Sequence, residues 1–217
     1  MNSKNFILIL IISLITLSCV KWTEDRYFYE NGNLSSVIHY KNDKPHGESI
    51  YYYENGKIQS KYNYKNGVLD GVAKSWYLTG DMEREEHYSN GKLNGIKKEF
   101  NQNGNLAYFE TYKNDTLNGA YKSFHPNGKL RISGEYKNGL YNGAWKYFDK
   151  FGRIVGEADF NMGTGVQTAF YPNGKKKRIV HYKNNKKHGR EEQYKPNGEL
   201  NNVIIYENGV LIEEKSK

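Results

Sequence analysis

Glycine recurs in this chain at a fixed spacing. Gly32, Gly56, Gly80, Gly104, Gly128, Gly152, Gly174 and Gly198 stand 24 residues apart, except for one step of 22. A second set keeps time with the first: Gly47, Gly71, Gly95, Gly119, Gly143, Gly165 and Gly189. Self-similarity at a period of 20 to 50 residues is the mark of an array, in which each unit buries its apolar face only by stacking on its neighbours. Eight copies are legible, the last incomplete, so the chain is constrained to a repeat architecture before any single residue is interpreted.

Within a copy the pattern is that of strands. Tyr51 to Lys74 serves as the type unit: a run from Lys57 to Tyr64, a polar turn at Asn66-Gly67, Gly71, then a second run from Val72. Period-two alternation between turn residues predicts a β-hairpin. The second place after the turn glycine reads Leu34, Ile58, Met82, Leu106, Leu130, Ile154, Lys176 and Leu200. The eighth reads Tyr40, Tyr64, Tyr88, Tyr112, Tyr136, Phe160, Tyr182 and Tyr206. Even parity puts both on one face. In the second strand the fifth place is Tyr52, Trp76, Phe100, Phe124, Phe148, Phe170 and Tyr194, which predicts an aromatic ladder across neighbouring strands. Asn-Gly recurs in both turns, where positive φ is tolerated, and Pro126, Pro172 and Pro196 each precede an Asn-Gly. Twenty tyrosines suit strands that are half wet, so the core is expected to be thin and aromatic.

Residues 1–18 read differently. Lys4 precedes a run from Phe6 to Leu17 interrupted only by Ser13 and Thr16, of the length of a secretory signal core and shorter than a bilayer span. The run ends at Cys19, the only cysteine of the chain, which has no partner for an internal disulfide. This stretch resembles the bacterial lipobox, with Ser18 in the small-residue place and Thr16 where leucine is usual. The resemblance implies a signal peptide at 1–18, a lipidated Cys19 as the mature N-terminus, and a membrane-anchored lipoprotein of the bacterial cell envelope facing the periplasm or exterior. The alternative is an ordinary signal peptide that leaves a free thiol. A polar lead at 19–26, eight repeats over 27–212 and a charged tail at 213–217 complete the expected layout.

Units such as Tyr62-Asn63-Tyr64-Lys65-Asn66-Gly67 with Gly71, and Tyr136-Lys137-Asn138-Gly139 with Gly143, resemble MORN repeats, in particular the bacterial variant of YwqK-type antitoxins. The resemblance implies an all-β fold: one elongated, twisted antiparallel sheet of tandem hairpins. At about 4.8 Å per strand, eight repeats would extend on the order of 75 to 80 Å. For function it implies a range, from membrane scaffolds to accessory modules to antitoxins.

Chemistry is harder to find. His39, His87 and His181 occupy one place in three different repeats, the nearest two about 20 Å apart, so they cannot share a metal ion. His46 and His188 fall in turns, as does His125 beside Pro126. There is no phosphate-binding glycine loop followed by a helix and no nucleophile set beyond what the repeat itself generates. No catalytic residue, cofactor or metal is expected, and the chain reads as non-enzymatic.

Two departures from the repeat stand out. Met162-Gly163-Thr164-Gly165 lacks two residues of the usual spacing, which predicts a shortened loop and a notch along that edge. Between Tyr171 and Lys195 lie nine basic residues, Lys175, Lys176, Lys177, Arg178, Lys183, Lys186, Lys187, Arg190 and Lys195, against only Glu191 and Glu192. On a chain of net charge +8 this one repeat holds almost the whole excess. It forms a candidate patch for an anionic partner, whether acidic protein surface or lipid headgroup. Nucleic acid is not expected for an exported, tethered chain. Trp76, Tyr121, Trp145 and Tyr147 are candidate exposed anchors for a protein partner. The sequence therefore reads as a tethered protein-binding module, antitoxin-like by resemblance. The alternative is a membrane scaffold that binds anionic headgroups through the basic seventh repeat.

Overall fold

The computed structural model describes residues 20–216, which form one open antiparallel sheet of 18 strands. Strands β1 (Trp22–Phe28), β2 (Leu34–Lys41), β3 (Lys44–Tyr52) and β4 (Ile58–Lys65) are followed by a strand broken in two, β5 (Val68–Leu69) and β6 (Gly71–Trp76). Then come β7 (Met82–Ser89), β8 (Lys92–Phe100), β9 (Leu106–Lys113), β10 (Thr116–Phe124), β11 (Leu130–Lys137), β12 (Leu140–Phe148) and β13 (Ile154–Asn161). The chain closes with β14 (Thr164–Phe170), β15 (Lys176–Lys183), β16 (Lys186–Tyr194), β17 (Leu200–Glu207) and β18 (Val210–Ser216). Each strand pairs with the next in sequence, with β5 and β6 both lying against β4 as one broken strand, so the topology is an uninterrupted meander. The all-β array of tandem hairpins read from the glycine period is the fold of the molecule. It is longer by one strand, β1, at the start, and its last strand, β18, runs on past Ile212. Most of the expected lead belongs to β1, which pairs with β2, and the expected charged tail is, through Ser216, the end of β18 paired with β17.

Two kinds of turn alternate. In the first, Gly32 N–H donates to Tyr29 C=O at 2.9 Å and Gly32 has φ +84°, a type I turn closed by a left-handed glycine. In the second, both central residues are left-handed, as at Asn66 (φ +53°) and Gly67 (φ +85°), the mirror-image turn whose twist matches the strands. The turns also join neighbours. The hydroxyl of Tyr53 donates to Trp76 C=O at 2.7 Å, Tyr77 to Phe100 C=O at 2.7 Å and Tyr171 to Tyr194 C=O at 2.7 Å. His125 takes the tyrosine's place and bonds Phe148 C=O at 2.9 Å. A side chain at the start of one turn thus caps the strand 23 residues on.

The second glycine set marks a bulge rather than a turn. Tyr40 pairs with Pro45 and Ile38 with Ser49, so one residue, His39, faces three, His46, Gly47 and Glu48. The imidazole Nδ1 of His39 lies 2.6 Å from Glu48 C=O; His87 repeats the contact on Ile96 C=O at 2.8 Å and His181 on Arg190 C=O at 2.7 Å. Asn63 makes it with its amide, to Val72 C=O at 2.7 Å. The repeated histidines therefore satisfy a bulge carbonyl that the ladder leaves open.

The short step removes this bulge. Strand β13 pairs with β14 in unbroken register from Asn161↔Thr164 to Gly156↔Ala169, and the two-residue turn Met162-Gly163 is kept. The expected notch is filled by Asn185. Its side-chain oxygen accepts from Tyr141 N–H at 2.8 Å, its amide donates to Gly139 C=O at 2.8 Å and its own N–H donates to Gly163 C=O at 3.0 Å. Elsewhere the analogous bond spans one hairpin, as from Leu93 N–H to Asp115 at 2.7 Å. Here it passes over Gly163, where an added Cβ would lie 2.8 Å from the Asn185 oxygen.

Candidate binding surface

Ladder pairing puts six residues of each hairpin on one face, which also carries the Tyr40 column and is termed the aromatic face. The place two residues after the bulge glycine reads Ser49, Ala73, Lys97, Tyr121, Trp145, Gln167 and Glu191. Turn glycines and cross-hairpin bonds recur, while this place, buried at Ser49, Ala73, Trp145 and Glu191, changes chemistry from hairpin to hairpin.

In the centre that column is core. Trp145 is 3% exposed and packs with Phe160 and Ala158, ringed by Tyr121, Ile132, Tyr136, Tyr141, Tyr147 and Tyr182. The indole stacks on Tyr121 at 5.6 Å and meets Tyr136 and Tyr141 edge-on at 5.1 and 4.8 Å. Gly134 permits this, because a Cβ there would fall 2.1 Å from the indole. Burial pushes the Tyr136 and Tyr147 hydroxyls above the ordinary phenol range. Trp145 is therefore no exposed anchor, and Tyr121 and Tyr147 are half-buried against it; the stacked stretch leaves these rings to the core. Trp76 is half-buried and lines a shallow recess with Ile58 and Lys61. The expected ladder of fifth-place aromatics does not form as ring contacts among the described residues. Each instead sits across from the second-place residue, as in Tyr52↔Ile58, Trp76↔Met82 and Phe148↔Ile154, and the close ring pairs gather around Trp145.

In hairpin β15–β16 the same column holds Glu191, 2% exposed. Lys187 Nζ lies 2.6 Å from one of its oxygens and the Gln193 amide donates to the other at 3.0 Å. Arg178 stands at 4.0 Å, the outer edge of an ion pair. Burial alone would raise this carboxyl, yet the bonds from Lys187 and Gln193 hold it below the usual carboxylate value of 4.5. Lys187 also lies over the Tyr206 ring at 4.6 Å.

The basic residues divide between the two faces. Pairing of Tyr182 with Lys187 and of Lys183 with Lys186 puts Lys187 on the aromatic face and Lys183 and Lys186, both exposed, on the reverse. Arg190 is on the reverse face and pairs with Glu192 at 2.8 Å. Lys175 donates to Asn197 C=O at 2.6 Å and Lys195 lies 3.7 Å from Glu199. Lys176 is exposed. Lys177 and Arg178 meet at one recess on the aromatic face, with Tyr171, Gln193, Tyr194 and Asn201. The nine cations thus do not form one patch. The sequence reading missed the burial of Glu191, which accounts for Lys187, and the role of Asn185; an acidic pair within a basic run was the available signal for the first. Cys19 lies outside the described residues.

The chain was compared with known proteins. It matches the family model described as MORN repeat variant over residues 26–42, 45–66, 69–90, 93–114, 117–138, 164–184 and 187–208. No curated protein matches the chain. The unmatched interval between 138 and 164 is the stretch that carries Trp145 and ends in the bulge-free hairpin, so its departure from the repeat pattern has a structural basis. Seven matched repeats across more than half of its length make this chain a member of the MORN repeat variant family, a repeat protein of binding type rather than of a known enzyme class.

Proposed function

We propose that this protein is a non-enzymatic binding module whose partner is a protein, held at the cell envelope through a lipidated Cys19. One observation supports it most: on an unchanging scaffold, equivalent recesses of the sheet change their lining, from Glu83, Arg84 and Glu99 at β7–β8 to Lys177, Arg178 and Gln193 at β15–β16. Variation laid over constant geometry is how solenoid arrays build extended recognition surfaces. An antitoxin or immunity role, in which the sheet holds a toxin, is the finer reading suggested by the resemblance to the bacterial variant.

Affinity capture from the producing cell's envelope tests it. Tagged full-length protein is expected to retain one protein in stoichiometric, saturable amount, and a toxin-like partner would establish the antitoxin reading. The control changes Lys176, Lys177 and Arg178 to Glu. Recovery of anionic lipid alone, lost in that variant, would replace the proposal with a membrane scaffold. The anchor is tested separately by incorporation of labelled fatty acid, expected for the native chain and absent for Cys19→Ala.

A further inference from the structure

The sheet has a recurring recess on its aromatic face, beside the bulges where a strand follows its type I turn. Between β15 and β16 it has a volume of about 380 Å³. Lys177 is the extra residue of the bulge at Ala169/Phe170, and Asn201 that of the bulge at Gln193/Tyr194. A bulge turns a side chain out of the regular alternation, so these two flank the opening while Arg178 and Gln193 lie between them.

The guanidinium of Arg178 is left without a close acceptor. Glu191, the carboxylate nearest Arg178, is already engaged by Lys187 at 2.6 Å and Gln193 at 3.0 Å, which leaves Arg178 at 4.0 Å with its side chain 40% exposed. Glu192 is taken by Arg190 at 2.8 Å and by the Tyr194 hydroxyl at 2.6 Å. Lys177 rests over the Tyr171 ring at 5.8 Å. The corresponding recess at β7–β8 has the opposite chemistry: Glu83, Arg84 and Glu99 line it, with Tyr77 and Phe100 as walls. A guanidinium that makes no hydrogen bond among the described residues, beside an ammonium, an amide and the Tyr171 ring, suits a planar oxyanion, which a guanidinium can hold with two parallel bonds.

We infer that the Lys177–Arg178 recess is a site for one oxyanion group, and that its occupant is a carboxylate side chain of an acidic segment in the protein partner. This rests on the binding role proposed above and names the point of contact. Lys183 and Lys186, of equal charge on the reverse face of the same hairpin, take no part.

The test titrates full-length protein with a terminally blocked hexaglutamate peptide, with inorganic phosphate as competitor, and with vesicles of phosphatidylglycerol or phosphatidylcholine. Peptide binding is expected, displaced by phosphate and weakened about tenfold by Arg178→Gln with Lys177→Gln. Lys183→Gln with Lys186→Gln should leave it nearly unchanged. Asn201→Asp, which adds a carboxylate at the rim of the recess without touching a packed residue, should weaken it as well. Equal weakening by both lysine-containing pairs would show a response to net charge alone and overturn the site. Binding to phosphatidylglycerol vesicles without binding to the peptide would overturn the carboxylate occupant. Failure here while envelope capture still returns a stoichiometric partner would sink the recess alone; capture of nothing would sink the binding role itself.

Discussion

Trp145 and Glu191 stand at the same place in their hairpins, two residues after the bulge glycine, and both are nearly inaccessible to solvent, at 3% and 2%. One is surrounded by rings, the other by an ammonium, an amide and a more distant guanidinium. In these two hairpins the place is buried whatever residue fills it, and the residue type decides how the buried surface is satisfied. The centre of the sheet uses dispersion and apolar burial; the basic hairpin uses paired charge.

The comparison can be broken most directly at the tryptophan. Trp145→Ala is expected to lower stability by about 3–5 kcal/mol, the range for emptying a large aromatic site, read from the denaturant midpoint of the full-length protein. A loss below about 1 kcal/mol would show that the central rings collapse into the gap. At the other site Glu191→Ala strands Lys187, whose side chain is 31% exposed, so water shares the cost and about 1–3 kcal/mol is expected.

The two regions should also part company with pH. Glu191 is depressed in the folded state, so its contribution is fully present above the unfolded value near 4.5 and fades as pH falls through the folded value. Tyr136 and Tyr147 are raised, so theirs is present below the unfolded value near 10 and fades as pH rises beyond it. Stability against pH for Glu191→Gln should lose part of its acid slope and keep its alkaline one. An unchanged acid limb would mean that the buried carboxylate is not what acid attacks.

Smaller changes sharpen the boundary between the regions. Asn185→Ala removes both side-chain bonds across the bulge-free hairpin and is expected to cost about 1–2 kcal/mol, measured by the same denaturation. Met162 holds φ +48° where other hairpins have asparagine, and Met162→Asn should gain about 1 kcal/mol.

Much of this was legible in the sequence, because period, hairpins and turns are local. Asn-Gly and the 24-residue glycine spacing specify them without reference to neighbours. The second glycine set misled: read as part of a turn, it is the apex of a bulge, and so the missing pair of residues came out of the bulge while the turn stayed intact. Burial was the least legible. Trp145 reads as an exposed anchor, and only Gly134, across the ladder, shows that the indole lies flat on the strand. Lys187 counts as free charge until the acid four residues on is seen beneath it.

The cross-hairpin capping bonds carry one more consequence. Because Tyr53, Tyr77, His125 and Tyr171 each bond the carbonyl 23 residues ahead, every such bond bridges one copy to the next and none depends on how many copies there are. Insertion or loss of one whole unit by gene slippage, outside the stretch that Asn185 bridges, would leave these capping bonds intact. Array length, and with it the reach of the recognition surface, can then change in whole-unit steps without a new fold having to evolve.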